Sequence, residues 1–530
     1  MYVQYCSLMF YMTLFFSYIT ITRSKAATSV SQYGVTWNFS KDMQVGQFIS
    51  GDWWVVGPVI ITHITPATIN DQNGTMINPK YAALNLVATQ GWDSRIQGNF
   101  YKSSLNIAKF LPYTVENEST VMSCKSLIPN AIGNNPQMET IAILTVLSIT
   151  PDVGSFRPPY IGGNKLLKWN KSDIDYARLK NLDHVSNMIS FTESEGQFER
   201  TLISLTDTWN GTYLHPIRHD SPGYGREISH KIGRALLLLN LKYSNLEKEK
   251  LLIRIIQRGI DIYGISVSGG GWAGNGGHNS GRKLPMMIAG LVLNSKLILA
   301  RANNYFAEDQ QHFYITQEDV DLPRKIADVT RPQDPYTYEM VGIAEWCSNH
   351  IKDPAGAGSN WGVYYRNVVG PANVGMALAA RISGLKNIWN CPAFFDYIDR
   401  FYNIEKYNTS IATNSIHPFV YSMWNVYRDK IFSDIIFPPT INTVFQIGDR
   451  VKMLRNTYIR DYGSFSGNLL GMQLLGSIGK IISGPVDNNN TIWWQINYDN
   501  GISGWSDENN YSKLTISVPS APTGLKLNPK

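Results

Sequence analysis

The spacing of apolar residues changes twice along this chain, and no single layer of secondary structure accommodates all three patterns. Between Gln32 and about Thr150 the apolar residues come in short β-branched and aromatic runs bordered by Gly, Pro and Asn: DWWVVGPVIITHITP, AALNLVA, STVMSCKSL and ETIAILTVLSI. Runs of that length predict strands, and together they predict a β-sandwich over residues 32–150. A stretch rich in Pro, Gly and Asn from Pro151 to Lys165 predicts the linker that closes it. From Asp173 to about Phe437 the period becomes helical. Arg226–Tyr243, Leu246–Tyr263, Arg282–Asn303, Tyr338–Asn349, Val374–Ile382 and Cys391–Tyr402 place apolar residues three and four apart. Helices of this length joined by long glycine-rich loops predict an α-helical toroid over 166–437, with a plain helical bundle as the alternative on periodicity alone. From Thr443 to about Leu514 short strands return, so the expected fold class is multidomain α+β.

The extreme N-terminus carries the apolar run Leu8 to Thr20, too short to cross a bilayer, followed by Arg23, Lys25 and the small pair Ala26-Ala27. Residues 1–27 therefore read as a secretion signal, and the expected location is extracellular. An uncleaved anchor is the alternative, because no basic residue precedes the run. Removing this segment takes Cys6 with it and leaves Cys124, Cys347 and Cys391, so at most one internal disulfide is expected. No cysteine or histidine spacing suggests a zinc site, and no cofactor is expected.

Composition narrows the partners. The net charge of +6 over 530 residues includes no Lys/Arg block, which argues against nucleic acid and suits an acidic polymer. Fourteen Trp and 29 Tyr beside only 17% charged residues is a balance that suits sugar binding, because flat rings stack on pyranose faces while indole and phenol still hydrogen-bond. The same rings also fill cores.

One loop stands out. Ser268 to Pro285 reads SGGGWAGNGGHNSGRKLP, a glycine-saturated segment that presents His278 and Arg282 just before an apolar helix. The alternative is an ordinary capped loop. A second polar segment, Thr212–Arg226, gathers Tyr213, His215, Arg218, His219, Asp220, Tyr224 and Arg226. Asp334–Trp346 adds Tyr336, Tyr338, Glu339 and Glu345, and Ser359–Arg366 adds Asn360, Trp361, Tyr364, Tyr365 and Arg366.

These groups suit eliminative cleavage of a uronic-acid polymer, which needs a cation or amide to neutralise the sugar carboxylate, a base to take the adjacent carbon-bound proton, and an acid for the leaving oxygen. Arg282 or Asn360 would neutralise, His278 or His215 would take the proton, and Tyr338 or Tyr364 would protonate. Trp272, Arg218, Tyr224, Trp361 and Arg366 are the expected substrate-binding groups. A glycoside hydrolase would instead need two carboxylates, for which Asp220, Glu339 and Glu345 are eligible. A non-catalytic glycan-binding or surface-binding protein is the third reading. The chain has no GxSxG, P-loop or HExxH motif to support an esterase, NTPase or zinc-protease reading.

Residues 443–515 resemble bacterial SH3-like domains, through the opening IGDRVKML, the central LLGMQLLGSIGKIISGP, the strand WWQINYDNG and the closing GWSDENNY. The usual NVR of that family is here TYIR. The resemblance implies a small β-barrel that attaches a secreted protein to a cell wall or another surface and is not itself catalytic. The tail, 517–530, is similar to the first strand of a fibronectin type III repeat, cut short. GQFISGDWWVVGPVIITHITP, SFRPPY, YGREISHKIGRALLLLNL, NGGHNSGRKLPMMIAGL and WNCPAFFDYIDRF resemble segments of large secreted bacterial proteins. The layout of sandwich and toroid is similar to several polysaccharide lyase and glycoside hydrolase families, a likeness at the level of fold.

Overall fold

A computed structural model describes residues 24–127, 137–163, 165–219, 224–303, 305–321, 336–347, 364–405, 416–434, 444–461, 463, 468–488 and 491–514. The chain is mixed α+β and divides into two compact units. One comprises residues 1–80, 89–173 and 216–218, the other residues 81–88, 174–215 and 219–530. Among the described residues no helix is long and apolar enough to cross a membrane.

The first unit is built on eight strands: β1 Lys25–Gln32, β2 Val35–Gln47, β3 Trp53–Val56, β4 Val59–Thr65, β5 Thr75–Ile77, then, after the short pair β6 Thr89–Gln90 and β7 Phe100–Tyr101, β8 Tyr113–Val115, β9 Ser119–Ser126 and β10 Met138–Leu147. They form one hydrogen-bonded sheet in the order β5-β9-β10-β3-β2-β4-β8, with β1 paired to β2. Only β10 and β3 run parallel within it. The expected pair of separate sheets is thus a single curled one. The 13-residue strand β2 makes the turn, pairing with β4 through Thr36–Phe39 and with β3 through Val45–Gln47. The curl brings Trp37 of β2 to β9, where its indole N–H donates to Ser123 Oγ at 2.8 Å. Val35, Trp37, Val45, Val59, Ile61, Val121, Leu144 and Val146 fill the enclosed core. The first strand begins at Lys25, ahead of the expected Gln32. AALNLVA forms no strand, and its residues belong to the second unit.

The segment expected as a linker, Pro151 to Lys165, is packed. Phe156, Arg157, Tyr160 and Lys165 are buried. Arg157 Nε donates to Asp52 Oδ2 at 2.6 Å, and Ser50 and Gln32 donate to the same carboxylate at 3.1 and 3.0 Å. Gln32 Oε1 in turn accepts from the Ile143 amide at 3.0 Å, so one buried carboxylate links β1, β10 and the segment after the sheet. A buried charge survives only with such partners.

The second unit contains the helices α1 Phe191–Gly196, α2 Gly225–Leu239, α3 Asn245–Val267, α4 Lys283–Val292, α5 Lys296–Leu299, α6 Ala307–Gln310, α7 Gln317–Asp321, α8 Tyr364–Ile382, α9 Lys386–Trp389, α10 Pro392–Glu405 and α11 Pro418–Tyr427. Helix α3 starts where its sequence says: Ser244 accepts from the Glu247 amide, and the Glu247 carboxylate reaches back to the Ser244 N–H, a reciprocal capping box. Helices α2 and α8 cross at Gly233 and Gly375. A Cβ on Gly233 would stand 2.9 Å from backbone atoms of Gly375 and Met376, so only glycine permits that approach.

Two expected helices differ. The span Arg282–Asn303 breaks at Asn294, whose φ of 48° ends α4 before Ser295 caps α5. The span Tyr338–Asn349 is a short 3-10 turn, Tyr338–Met340, followed by strand β12, Ala344–Trp346, which pairs with β11, His312–Tyr314. Gly342, at φ 86°, separates turn from strand. The C-terminal strands β13 Arg450–Met453, β14 Thr457–Arg460, β15 Leu469–Gln473, β16 Ile478–Asn488, β17 Thr491–Tyr498, β18 Ser503–Asp507 and β19 Tyr511–Lys513 form a second sheet, in the order β15-β14-β18-β17-β16-β13-β19. Val451, Ile459, Ile481, Trp494 and Ile496 pack at its centre. Among the described residues Cys124, Cys347 and Cys391 form no disulfide.

Replacing Asp52 by Ala strands the Arg157 guanidinium in the first unit's interior. The expected loss is on the order of 3–5 kcal/mol, the usual cost of removing one member of a buried ion pair. Urea denaturation followed by circular dichroism reads it, and a loss under about 1 kcal/mol would mean the pair contributes no more than a surface one.

Candidate functional site

The glycine-rich loop is held from within. Helix α3 ends on Ser268 and Gly269, the latter at φ 85°, and the Gly270 amide turns back to the Ile265 carbonyl at 2.9 Å, a left-handed stop that starts the loop. Glycine gives the following segment its shape but leaves its carbonyls without the partners a helix or strand would supply. Side chains provide them. Tyr81 donates to the Gly271 carbonyl. Asn279 Nδ2 donates to the Ala273 carbonyl at 2.7 Å and to that of Asp207 at 2.5 Å. Gln311 donates to Gly276 at 2.8 Å. Arg282 Nη1 donates to His278 and Ser280 at 3.1 and 2.7 Å. The Gly281 amide donates to buried Glu308 at 2.7 Å.

Gly281 itself sits at φ 88°, and a Cβ there would meet Ile228 and the Ser229 amide at 2.9 Å. Gly225 at the start of α2 is equally constrained, since its Cβ would fall 2.5 Å from the carbonyls of Gly277 and His278. The loop and the start of α2 therefore touch backbone to backbone, and the Arg226 amide donates to Gly277 at 2.8 Å.

This loop forms one wall of a pocket of about 220 Å³, counting the space open to solvent. Its lining is Ile203, Ser204, Thr206, Thr208, Gly211, Thr212, His215, His278, Asn279 and Arg282. A second wall comes from residues 203–208. Residues 82–86 fix it: the Ala82 amide donates to Leu205 at 2.8 Å, the Asn85 amide to Asp207 Oδ1 at 2.9 Å, and Thr206 Oγ1 to the Leu86 carbonyl at 2.6 Å. A six-residue 3-10 helix, Trp209–Leu214, continues this wall and delivers His215.

Two histidines and one arginine thus meet here, and their electrostatics agree. Burial pushes the His215 imidazole well below the ordinary value of 6.5, and its neighbours Arg282, His219 and Arg258 push it the same way. Burial, then Arg282, lowers His278 to about 4. Both rings are neutral at neutral pH, and the Nδ1 atom of each is buried without a hydrogen-bond partner. Tyr224 meets the His278 ring edge to face, 4.6 Å between centroids, and its hydroxyl accepts from the Gly277 amide at 3.3 Å. Arg226 lies over the same Tyr224 ring, 5.3 Å from its centre. The pocket therefore offers neutral nitrogen bases, hydroxyl groups and a fixed positive charge, and no carboxylate among its lining residues. Among the described residues no group of three or more His, Cys, Asp and Glu could hold a metal ion.

Of the sequence-predicted residues, His215, His278 and Arg282 line the pocket and Tyr224 abuts it. Trp272 does not offer a stacking face: it is fully buried, donates to Ser204 Oγ at 2.9 Å and stacks on Phe306 at 5.1 Å. Arg218 belongs to the first unit, where its amide donates to Glu139 at 3.0 Å and its side chain ion-pairs with the same residue at 3.7 Å. Tyr338 is 65% exposed, donates to Asp321 at 3.0 Å and is not part of the lining. Tyr364 and Arg366 fall in the first turn of α8, where only the backbone is described; Asn360, Trp361 and Asp220 lie outside the described residues.

Glu339 is exposed, while Glu345 is buried with Arg400 at 3.7 Å. His219 is buried with its Nδ1 at 2.7 Å from the Thr201 carbonyl. The polar lining residues that sequence reasoning missed are Ser204, Thr206, Thr208, Thr212 and Asn279. Their one sequence signal is the alternation of hydroxyls at 204, 206 and 208, which puts them on one side of an extended segment.

Comparison of the chain with protein-family models, with curated proteins and with solved structures finds no match.

The depressed His278 value has a consequence for stability. The folded chain keeps this ring neutral down to about pH 4, whereas the unfolded chain takes up the proton near pH 6.5. Its contribution is therefore full above pH 6.5 and lost as the pH falls through about 4. His278→Gln is expected to lose less stability than the parent between those two pH values, as read by urea denaturation at each; equal losses would clear His278 of the effect. Arg282→Met withdraws the donor from two buried carbonyls and is expected to cost about 1–3 kcal/mol per stranded group, with faster amide exchange across 273–281 as the local signature.

Proposed function

We propose that this chain is a secreted carbohydrate-active enzyme that cleaves an acidic polysaccharide by β-elimination. The observation that carries the reading is the pocket itself: two imidazoles kept neutral by burial, a guanidinium beside them, and no carboxylate in the lining. A retaining or inverting hydrolase needs an acid and a base or nucleophile drawn from two carboxylates flanking the bond. Elimination needs neither.

In the elimination, a neutral imidazole, His278 or His215, removes the proton on the carbon next to the uronate carboxylate. The electron pair forms the carbon–carbon double bond as the bond to the glycosidic oxygen breaks, and that oxygen leaves with a proton. The positive charge of Arg282 lowers the cost of the carbanion-like state that builds on the carboxylate. Its guanidinium is already fixed by the His278 and Ser280 carbonyls, so no reorganisation is needed when charge develops. The Tyr224 hydroxyl, beside His278, is the proton donor in place of Tyr338.

The finer reading of the fold belongs with this one. The helices of the second unit are read as part of an α/α toroid whose loops form the pocket, and the C-terminal sheet as an SH3-like module that attaches the protein to a cell wall or another surface. The apolar run Leu8 to Thr20 supports export.

The test is a screen of the purified protein against polygalacturonate, alginate and hyaluronan, with the ultraviolet absorbance of new double bonds and the release of reducing ends read in parallel. Both signals are expected to rise on at least one polymer, and His278→Ala is expected to lower kcat by about 10²–10⁴-fold, the usual contribution of a positioned base. Because the base must be neutral, the acid limb of kcat/KM is expected to fall only below about pH 4 if His278 is that base. Reducing ends without absorbance would make the protein a hydrolase, and silence in both signals would make it a binding protein.

A further inference from the structure

Among the described residues Trp209 is the one tryptophan that is exposed, at 49%. Trp37, Trp92, Trp272, Trp389, Trp493 and Trp494 are all fully buried, as a large apolar ring in a folded chain usually is. Trp209 stands where exposure has a use. It opens the 3-10 helix that forms one wall of the pocket, with lining residues on both sides of it in sequence, Thr208 before it and Gly211 and Thr212 after it. The turn is tied locally by Thr212 Oγ1, which donates to the Trp209 carbonyl at 3.0 Å. Tyr213, from the same helix, meets the indole at 78° with 5.7 Å between ring centres.

We infer that Trp209, braced by Tyr213, is a stacking platform for a pyranose ring of the polymer, beside the pocket-lining residues Thr208, Gly211 and Thr212. This deepens the proposed function and rests on it for the polymer, though not for the chemistry. A flat, exposed indole gains by covering one face of a sugar ring, where the C–H groups are apolar and the hydroxyls point outward to water. The platform thus acts on binding of the chain, whereas the imidazoles act on the bond.

The experiment separates the two. The His278→Ala protein, which is expected to hold polymer without cutting it, is run by affinity electrophoresis through gels containing polygalacturonate, alginate or hyaluronan. Adding Trp209→Ala is expected to weaken retention about tenfold, and Trp209→Phe to restore most of it, with the unfolding midpoint unchanged. In the otherwise unaltered protein Trp209→Ala is expected to raise KM by a similar factor and to leave kcat within about twofold. Unchanged retention in a folded Trp209→Ala protein would overturn the platform. So would failure of that variant to fold, which would make the indole a packing residue, and so would absence of retention of the parent on all three polymers. Retention lost in Trp209→Ala, with no double bonds formed by the unaltered protein, would uphold the platform and remove the lyase.

Discussion

Backbone carbonyls set the terms for the site. A loop made largely of glycine can bend as the pocket requires, but it brings polar backbone into the interior with no ladder to satisfy it, and each unmet carbonyl costs on the order of 1–3 kcal/mol. The chain meets that demand with four side chains drawn from three separate places: Tyr81, the pair Asn279 and Arg282, and Gln311. Two of these four are in the loop or at its end, so the same residues that shape the pocket also hold it together. Arg282 is the clearest case, since its charge faces the pocket's histidines while its Nη1 is committed to the loop.

The electrostatics follow from that packing. A guanidinium buried at 3% exposure raises the cost of any further positive charge nearby, and His215 and His278 answer by staying neutral. Burial is the larger cause for both rings. Elsewhere in the unit, the buried ammonium of Lys283 lies 2.5 Å from Asp309, whose carboxyl burial pushes up to about 6. Lys283 also donates to the Trp389 carbonyl at 2.6 Å, so the helix that follows the loop is anchored at its first residue. The loop is thus pinned at both ends and along its length, which makes it a rigid wall.

Much of this was legible in the sequence where the signal was local. The apolar period of α2 and α3 placed those helices within a few residues, and the glycine cluster pointed to the loop with His278 and Arg282. The reading failed where a distant partner decides the outcome. Tyr338–Asn349 has helical spacing, but Gly342 turns the chain and β12 finds its partner in β11, about 30 residues earlier. Trp272 sits among glycines and looks presented, yet the fold turns it inward onto Phe306. Arg218 is three residues from His215 and belongs to a different unit. The alternation of hydroxyls at Ser204, Thr206 and Thr208 is a weak signature, because serine and threonine in such a run are ordinary until a pocket forms beside them.

The two units are interleaved along the chain. Residues 81–88 leave the first unit's sequence to join the second, and 216–218 do the reverse. The eight-residue excursion supplies both Tyr81, which holds the glycine loop, and the amides and carbonyl that fix the wall at 205–207. No single crossover between genes can therefore exchange one unit whole. A recombinant joined anywhere between residue 89 and residue 173 would inherit both walls of its pocket from one parent and the segment that holds them from the other, so the 81–88 excursion has to vary together with 203–208 and the loop at 268–285.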